Sequence, residues 1–402
     1  MEARQRLLGG VIVLALIAAV ALPAYKITDY MVITRSVLDN TSVFAGDGAP
    51  SAGPKPENKD PWADKPQINV LLIGSDAGKG RIGIRPDTLI LASINTTTGK
   101  TVMFSLPRSL QRAPFPVGTG GREAWPDGYY CPDAEPGREC MINAIWGWAE
   151  NEGQSHYSQF KNPGLRATQD AVEGVTGLPV DTYVMLNLHG FKDFVDALGG
   201  VTVDVHERLP MGGDSNYQVA VNGWIEKGNN QHLDGFHALW FARSRWSTGD
   251  YDRMQRQRCV IGAVVDQSDP LKIVRNFPDL AKALKKNLVT GIDSDDLSAW
   301  ATLAQRIQKG GVRSIVFDPD VINTVDPDIP RIHRLVAAAV RSTARVKKAA
   351  PATPSAGATP SATVTATATR PPKAKRPTTD AKSGTTSSTA KPGSAQSIAS
   401  VC

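Results

Sequence analysis

Apolar residues recur along this chain in two rhythms. Residues 68–74 (INVLLIG), 88–94 (TLILASI) and 101–106 (TVMFSL) are short, nearly continuous runs of Val, Ile, Leu, Met and Phe bounded by turn-forming residues. Runs of this length and composition mark strands. NTTTGK separates the second from the third and reads as a turn. The three therefore predict an antiparallel meander opening a globular domain near Gln67. Residues 107–165 are rich in Gly, Pro and aromatics and predict irregular structure. Beyond them the period lengthens, with a helix expected over 165–174 and a strand in GLPVDTYVMLN. HGFKDFVDALGG spaces Phe191, Phe194, Val195 and Leu198 as a helix does and ends on Gly199, a C-cap. VTVDV (201–205) predicts a strand, residues 206–230 a loop, and LDGFHALWFARSR a helix starting near Asp234. A longer helix follows over 252–267, with Asp252 as its N-cap. Helices over 270–286 and 295–309, a strand in RSIVFD and a last helix over 330–345 complete the pattern. Strands interspersed with helices predict an α/β layered domain.

The ends of the chain follow other rules. Residues 7–25 (LLGGVIVLALIAAVALPAY) are uncharged and nearly all apolar. As a helix they would reach roughly 28 Å, close to the hydrocarbon thickness of a bilayer. Arg4 and Arg6 precede them. This predicts one transmembrane anchor, with residues 1–6 cytoplasmic and the rest of the chain outside the cell membrane. A cleaved signal peptide is the rival, for which the segment is long and ALPAY a mediocre cleavage site; both readings export the chain. Residues 26–66, rich in Gly, Pro, Ser and Asp, read as an extracytoplasmic stalk. Residues 67–345 form the main domain. Residues 346–402 are dominated by Ser, Thr, Ala and Pro with no aromatic, so they cannot offset their ordering entropy and are expected to be disordered.

The formal net charge is +6, but eight Lys or Arg and a single acid lie in 346–402. The rest of the chain is close to neutral, so the basic balance does not argue for nucleic acid as a partner. Of four cysteines, Cys131 and Cys140 flank a short Pro/Gly-rich loop and suit a disulfide in an oxidising exterior. Cys259 and Cys402 could pair as well, or Cys259 could be a small buried hydrophobe. None of the spacings suits zinc.

Charged residues sit at the ends of the apolar runs. Paired as a meander, the first three strands bring Asp76, Arg85, Asp87 and Arg108 to one rim of the sheet, where loops over a rigid scaffold usually carry binding groups. Two close carboxylates repel, and a divalent cation such as Mg²⁺ between them removes that cost while accepting phosphate oxygens and waters. Arginine grips phosphate with a planar, bidentate fork. Arg243 and Arg245 lie past the end of one helix; Arg253 and Gln257 share a face of the next, with Arg256 near the same stripe. So much positive charge at a helix start opposes the macrodipole, and a bound anion would relieve it. The plainer account is that a strand-end Asp is a turn residue and a surface Arg is solvated. There is no phosphate loop, no nucleophile elbow and no metal-like histidine spacing.

Six stretches together resemble one family: NVLLIGSD (69–76), RPDTLIL (85–91), SLPRS (105–109), LHGFKDFVDALGGVTVDV (188–205), LDGFHALWFARSR (233–245) and DRMQRQR (252–258). In order and spacing they are similar to the LytR-CpsA-Psr family of bacterial cell-wall enzymes, and the long loops and Pro/Thr/Ser tail resemble its actinobacterial members. The resemblance implies an α-β-α sandwich with a central mixed sheet and an apolar cavity for a prenyl chain. It also implies a phosphotransferase that moves a glycopolymer from a polyprenyl-pyrophosphate carrier to a peptidoglycan hydroxyl, that of N-acetylmuramic acid. It makes Asp76 and Asp87 the Mg²⁺-associated acids and Asp87 and Arg108 the catalytic pair. Arg85, Arg108, Arg243, Arg245 and Gln257 would hold the pyrophosphate, with Arg253 and Arg256 as weaker candidates. Three positions depart from the family pattern: Ser109 where an acid is common, Met141 where a Lys often stands, and Pro86 in place of Ser. A pyrophosphatase acting on the same donor, and a tether binding wall or lipid without catalysis, are the alternatives.

Overall fold

The opening runs pair as expected. Strands β1 (Gln67–Ser75), β2 (Pro86–Asn95) and β3 (Thr101–Leu106) form an antiparallel meander, with Leu71 opposite Leu91 and Leu91 opposite Phe104. The computed structural model describes residues 60–76, 84–131, 140–214, 219–245, 249–267, 284, 287–293, 296–344 and 395–397. The anchor expected at 7–25, nearly all of the helix expected at 270–286 and most of the tail lie outside them. All described residues belong to one compact unit.

Four more strands extend the meander: β4 (Thr182–Leu186), β9 (Leu288–Thr290), β10 (Val312–Val316) and β11 (Gln396–Ser397), in the order β11-β10-β3-β2-β1-β4-β9. β4 runs parallel to β1 and β10 parallel to β3, so the sheet is mixed. Its central strands are apolar on both faces because helices cover both. One face carries Val70, Leu72, Ile90 and Met103 against α4 (Leu188–Leu198), α5 (Gly235–Arg243), α6 (Asp250–Gln267) and α7 (Leu297–Gly310). The other carries Leu71, Ile73, Leu89 and Phe104 against α2 (Ile145–Glu150), α3 (Pro163–Thr176) and α8 (Ile329–Ala344). A short helix α1 (Gly120–Ala124) lies in the aromatic-rich segment after β3. This is the three-layer α/β arrangement that the sequence implies.

Local chemistry sets the helix ends. Asn187 and Asp234 cap α4 and α5 by accepting the amides of Gly190 and His237. Gly199 ends α4 at φ 87°, the left-handed region that glycine enters at little cost. α6 begins at Asp250, a turn fragment earlier than Asp252; Asp252 instead accepts the amide of Gly249.

Three boundaries differ from expectation. Residues 206–230 are not a plain loop: β6 (Leu209–Asp214) pairs with β7 (Val219–Ile225), and β8 (Gly228–Leu233) pairs with β5 (Val201–Val205). The strands of this stretch are short and interrupted by Pro210, Gly212, Gly213, Asn222 and Gly223, which hides their alternation. The folded domain starts by Asp60 rather than Gln67. Trp62 is buried edge-on against Trp300 and donates its indole N–H to the Ala299 carbonyl at 2.7 Å, while Arg306 holds Asp60 at 2.9 Å. One large aromatic anchors a segment whose Pro and Asp content otherwise reads as linker. Finally, Gln396 and Ser397, within the tail expected to be disordered, pair with Ser314 and Arg313 at the sheet edge. Edge pairing uses backbone groups and needs no apolar side chain.

Cys131 and Cys140 are joined in a disulfide. Cys259 is also disulfide-bonded; its expected partner, Cys402, lies outside the described residues.

Candidate active site

The carboxyl ends of β1, β3, β4 and β10 meet the start of β2 at one rim. Beside this rim a cavity of about 180 Å³ opens between the sheet and helices α4 to α6. Its inner wall is apolar, built from Leu72, Ile90, Val184, Phe191, Val260 and Ile261. Its polar lining includes Asp76, Asp87, Arg243, Arg245, Arg253 and Gln257. Gly74 keeps the wall thin: a Cβ there would meet the Thr88 Cβ at 2.9 Å.

Asp87 is the hub of the mouth. Its Oδ1 accepts from Arg108 Nη1 at 2.8 Å and from Asn143 Nδ2 at 3.2 Å, and its carbonyl accepts from Arg253 Nη2 at 3.1 Å. Burial alone would raise its pKa, but the Arg108 charge and hydrogen bond, the Arg253 charge and the Asn143 contact overcome that and hold it below the usual carboxylate range. It is therefore anionic at neutral pH. Arg108 is also partly buried, which would lower its pKa, yet Asp87 and Asp250 raise it.

Asp250, the first residue of α6, organises the arginines. Its carboxylate reaches Arg253 Nη2 at 3.1 Å, Arg108 Nε at 3.2 Å and Arg245 Nη1 at 3.5 Å. An acid at a helix start is electrostatically favoured. Four guanidinium groups (Arg108, Arg243, Arg245 and Arg253) thus face three carboxylates (Asp76, Asp87 and Asp250). Arg253 is the most deeply placed, only 4 % exposed, and its Nε has no hydrogen-bond partner among the described residues. Burial, with the neighbouring charges of Arg108 and Arg245, lowers its pKa to about 10 against the pull of Asp250 and Asp87. A buried donor without an acceptor is costly, and an anion in the mouth would supply one.

The expected site residues divide accordingly. Asp76, Asp87, Arg243, Arg245, Arg253 and Gln257 meet in one cavity. Arg108 stands beside it, bonded to two of the mouth's acids. Arg85 is exposed, and it is its backbone that serves the site, its amide donating to Asp76 Oδ1 at 2.9 Å. Arg256 does not belong to the site. Its Nε donates to the Phe241 carbonyl at 2.9 Å, another of its nitrogens donates to the Ser244 carbonyl, and Glu207 lies 3.7 Å away. Arg256 lies about 60° round the helix from Arg253, and its side chain turns to cap the carboxyl end of α5. Asn143 and Asp250 were not anticipated. Each sits within two residues of a feature read for another reason, Met141 and Asp252, and becomes visible only when the loops fold back onto Asp87.

Asp76 and Asp87 are the carboxylates that a divalent cation in the mouth would meet. Oδ2 of Asp87 makes no hydrogen bond or ion pair with the described residues, and Asp76 lines the same wall. No group of three or more His, Cys, Asp or Glu among the described residues could hold a metal. Two carboxylates are the set Mg²⁺ uses when phosphate and water complete its shell.

The site thus joins an apolar cavity to a mouth of arginines and carboxylates on the rim of an α/β sheet. The chain belongs to the LytR_cpsA_psr family, whose model matches residues 45–326. It is 28 % identical over 243 residues to a polyisoprenyl-teichoic acid–peptidoglycan teichoic acid transferase TagU of Bacillus licheniformis, covering 60 % of this chain and 63 % of the relative. It is 27 % identical over 241 residues to biofilm regulatory protein A of Streptococcus mutans, covering 58 % and 52 %. The chain thus spans under two thirds of the length of these relatives. Its fold is similar to the crystal structure of protein gbs0355 from Streptococcus agalactiae, with a TM-score of 0.50, 21 % identity, and coverage of 69 % of this chain and 89 % of that one.

Proposed function

We propose that the protein is a phosphotransferase that moves a glycopolymer from a polyprenyl-pyrophosphate carrier to a hydroxyl of peptidoglycan N-acetylmuramic acid. The observation that carries this reading is the apolar cavity whose mouth presents Arg253, buried and with an unmet donor, beside Arg243 and Arg245. Family membership and the activity named for the TagU relatives support it. The prenyl chain enters between Leu72, Phe191 and Val260, and the diphosphate rests among the guanidinium groups. The acceptor oxygen attacks the glycan-side phosphorus; a P–O bond forms and the bond from that phosphorus to the bridging oxygen breaks. Polyprenyl phosphate leaves, and the hydroxyl proton passes to solvent. Asp87, with its depressed pKa, is a weak base, so its part is to hold charge and position. Arg243, Arg245 and Arg253 meet the negative charge that builds on the leaving phosphate. Asp76 and Asp87 would hold Mg²⁺, which when bound neutralises phosphate charge. The chain would be anchored in the cell membrane by residues 7–25 with this domain outside.

The test is incubation of the full chain with a polyprenyl-pyrophosphate-linked glycan, with and without soluble peptidoglycan, followed by mass spectrometry. A phosphodiester product formed only with both substrates and Mg²⁺ is expected. Water as the sole acceptor would make the protein a pyrophosphatase, and an intact donor would make it a tether. Because two carboxylates alone form a poor site, Mg²⁺ should bind at least about tenfold more tightly with donor present, as calorimetry would show. Asp250→Asn releases three arginines from a common partner and should lower kcat between about tenfold and a hundredfold through lost positioning. Steady-state donor consumption checks this, and an unchanged kcat would remove Asp250 from the account.

A further inference from the structure

A second cleft, of about 370 Å³, lies on the same rim and shares no lining residue with the cavity. It is formed by the face of α6 that carries Tyr251, Gln255 and Arg258 and by the segment after β10 with Asp318 and Asp320. It is close in the fold to the mouth. Tyr251 follows Asp250, and β10 runs beside β3, with the Phe317 amide bonded to the Ser105 carbonyl three residues before Arg108. This cleft is overwhelmingly polar, unlike the cavity.

Its chemistry is unfinished in a particular way. Arg258 is 8 % exposed and donates to Ser314 at 3.3 Å, but its Nε has no hydrogen-bond partner among the described residues. Oδ1 of Asp318 is also buried and without a partner among them. The two side chains do not meet as an ion pair within 4.0 Å, so a donor and an acceptor line one cleft without satisfying each other. A ligand that completes both must accept from the guanidinium and donate to the carboxylate. A hydroxyl does both; an ionised phosphodiester has no proton to donate, and a metal ion cannot accept. Charge points the same way. Asp252, Asp318 and Asp320 outnumber Arg258, which disfavours a second phosphate. No metal-holding cluster exists among the described residues. Carboxylates, a guanidinium, an amide and a tyrosine ring are together the side chains that recognise a polyol.

We infer that this cleft binds the sugar acceptor, placing a hydroxyl-bearing glycan strand across Asp250 and Arg108 from the diphosphate. The inference rests on the proposed transfer for the identity of the acceptor, and on Arg258 and Asp318 for the site. It divides α6 by function: the face with Arg253 and Gln257 serves the donor, and the face with Gln255 and Arg258 serves the acceptor.

Titration of the full chain with soluble, uncrosslinked peptidoglycan strands, without donor, tests it by calorimetry. Arg258→Gln and Asp318→Asn should each weaken strand binding at least about tenfold, since each leaves a hydroxyl unmatched. Both are partly or wholly buried, so the exposed variants Gln255→Ala and Asp320→Asn are measured alongside; about threefold to tenfold weaker binding is expected, with the thermal midpoint unchanged. Affinity for a polyprenyl-pyrophosphate donor should stay within twofold in all four. If the wild type does not bind strands, or Gln255→Ala and Asp320→Asn bind them as well as it does, the cleft is not an acceptor site. Competition by millimolar inorganic phosphate for the strands would also overturn it. If strands bind through these residues but no transfer occurs, the cleft stands and the proposed reaction falls. If transfer proceeds with an unchanged acceptor KM in the exposed variants, the reaction stands and the cleft falls.

Discussion

Arg108→Ala is expected to lower kcat/KM for glycopolymer transfer about a thousandfold, the scale seen when a preorganised charged donor is removed from a transition-state site. Arg108 grips Asp87 with Nη1 and Asp250 with Nε, so its loss takes one partner from each acid at once and removes a positive charge from the mouth. The fold should survive, because both ion pairs lie at the half-exposed sheet rim and not in the apolar core. Lysine restores the charge but not the fork, and Arg108→Lys should recover little. Donor turnover in the two variants, with circular dichroism as the folding control, decides the matter. Arg108→Ala retaining more than a third of wild-type turnover would remove the residue from the reaction.

Trp62→Ala should destabilise the domain by about 3–5 kcal/mol, as for other fully buried aromatics, and lower the melting midpoint by about 10 °C. The indole packs on Trp300 and donates to Ala299, so the substitution leaves a cavity and an unpaired carbonyl together. Trp62→Phe keeps most of the packing and should cost about 1–2 kcal/mol, the value of the lost hydrogen bond. Urea denaturation of the three proteins measures this. A Trp62→Ala midpoint within 2 °C or so of wild type would mean that the segment before Gln67 is an accessory to the fold rather than part of it.

The sheet was legible because its central strands are buried on both faces and therefore written in uninterrupted apolar runs. The helices on it were legible where one face is apolar, as at Phe194 and Val195. The strands of 206–230 were not, since Gly212, Gly213 and Gly223 and a register shift in each pair break the two-residue rhythm. At the site the meander alone sufficed to bring Asp76, Asp87 and Arg108 together. Helix spacing places Arg253 and Gln257 on the cavity wall, whereas Arg256, on a neighbouring stripe, bonds to the end of α5. Asp250 and Asn143 depend on contacts made across 142 and 56 residues of chain, and no local rhythm encodes these.

The grouping of Arg108, Arg245 and Arg253 around Asp250 bears on how the proposed donor would be received. Three like charges left to themselves would spread apart, and a ligand would have to gather them on arrival. Here an internal anion already does so. An arriving diphosphate can take over part of that carboxylate's role, so recognition becomes an exchange of one counter-ion for another on a scaffold assembled during folding. Binding on such a scaffold calls for little rearrangement, and its salt sensitivity should reflect the difference between two anions rather than the full charge of either.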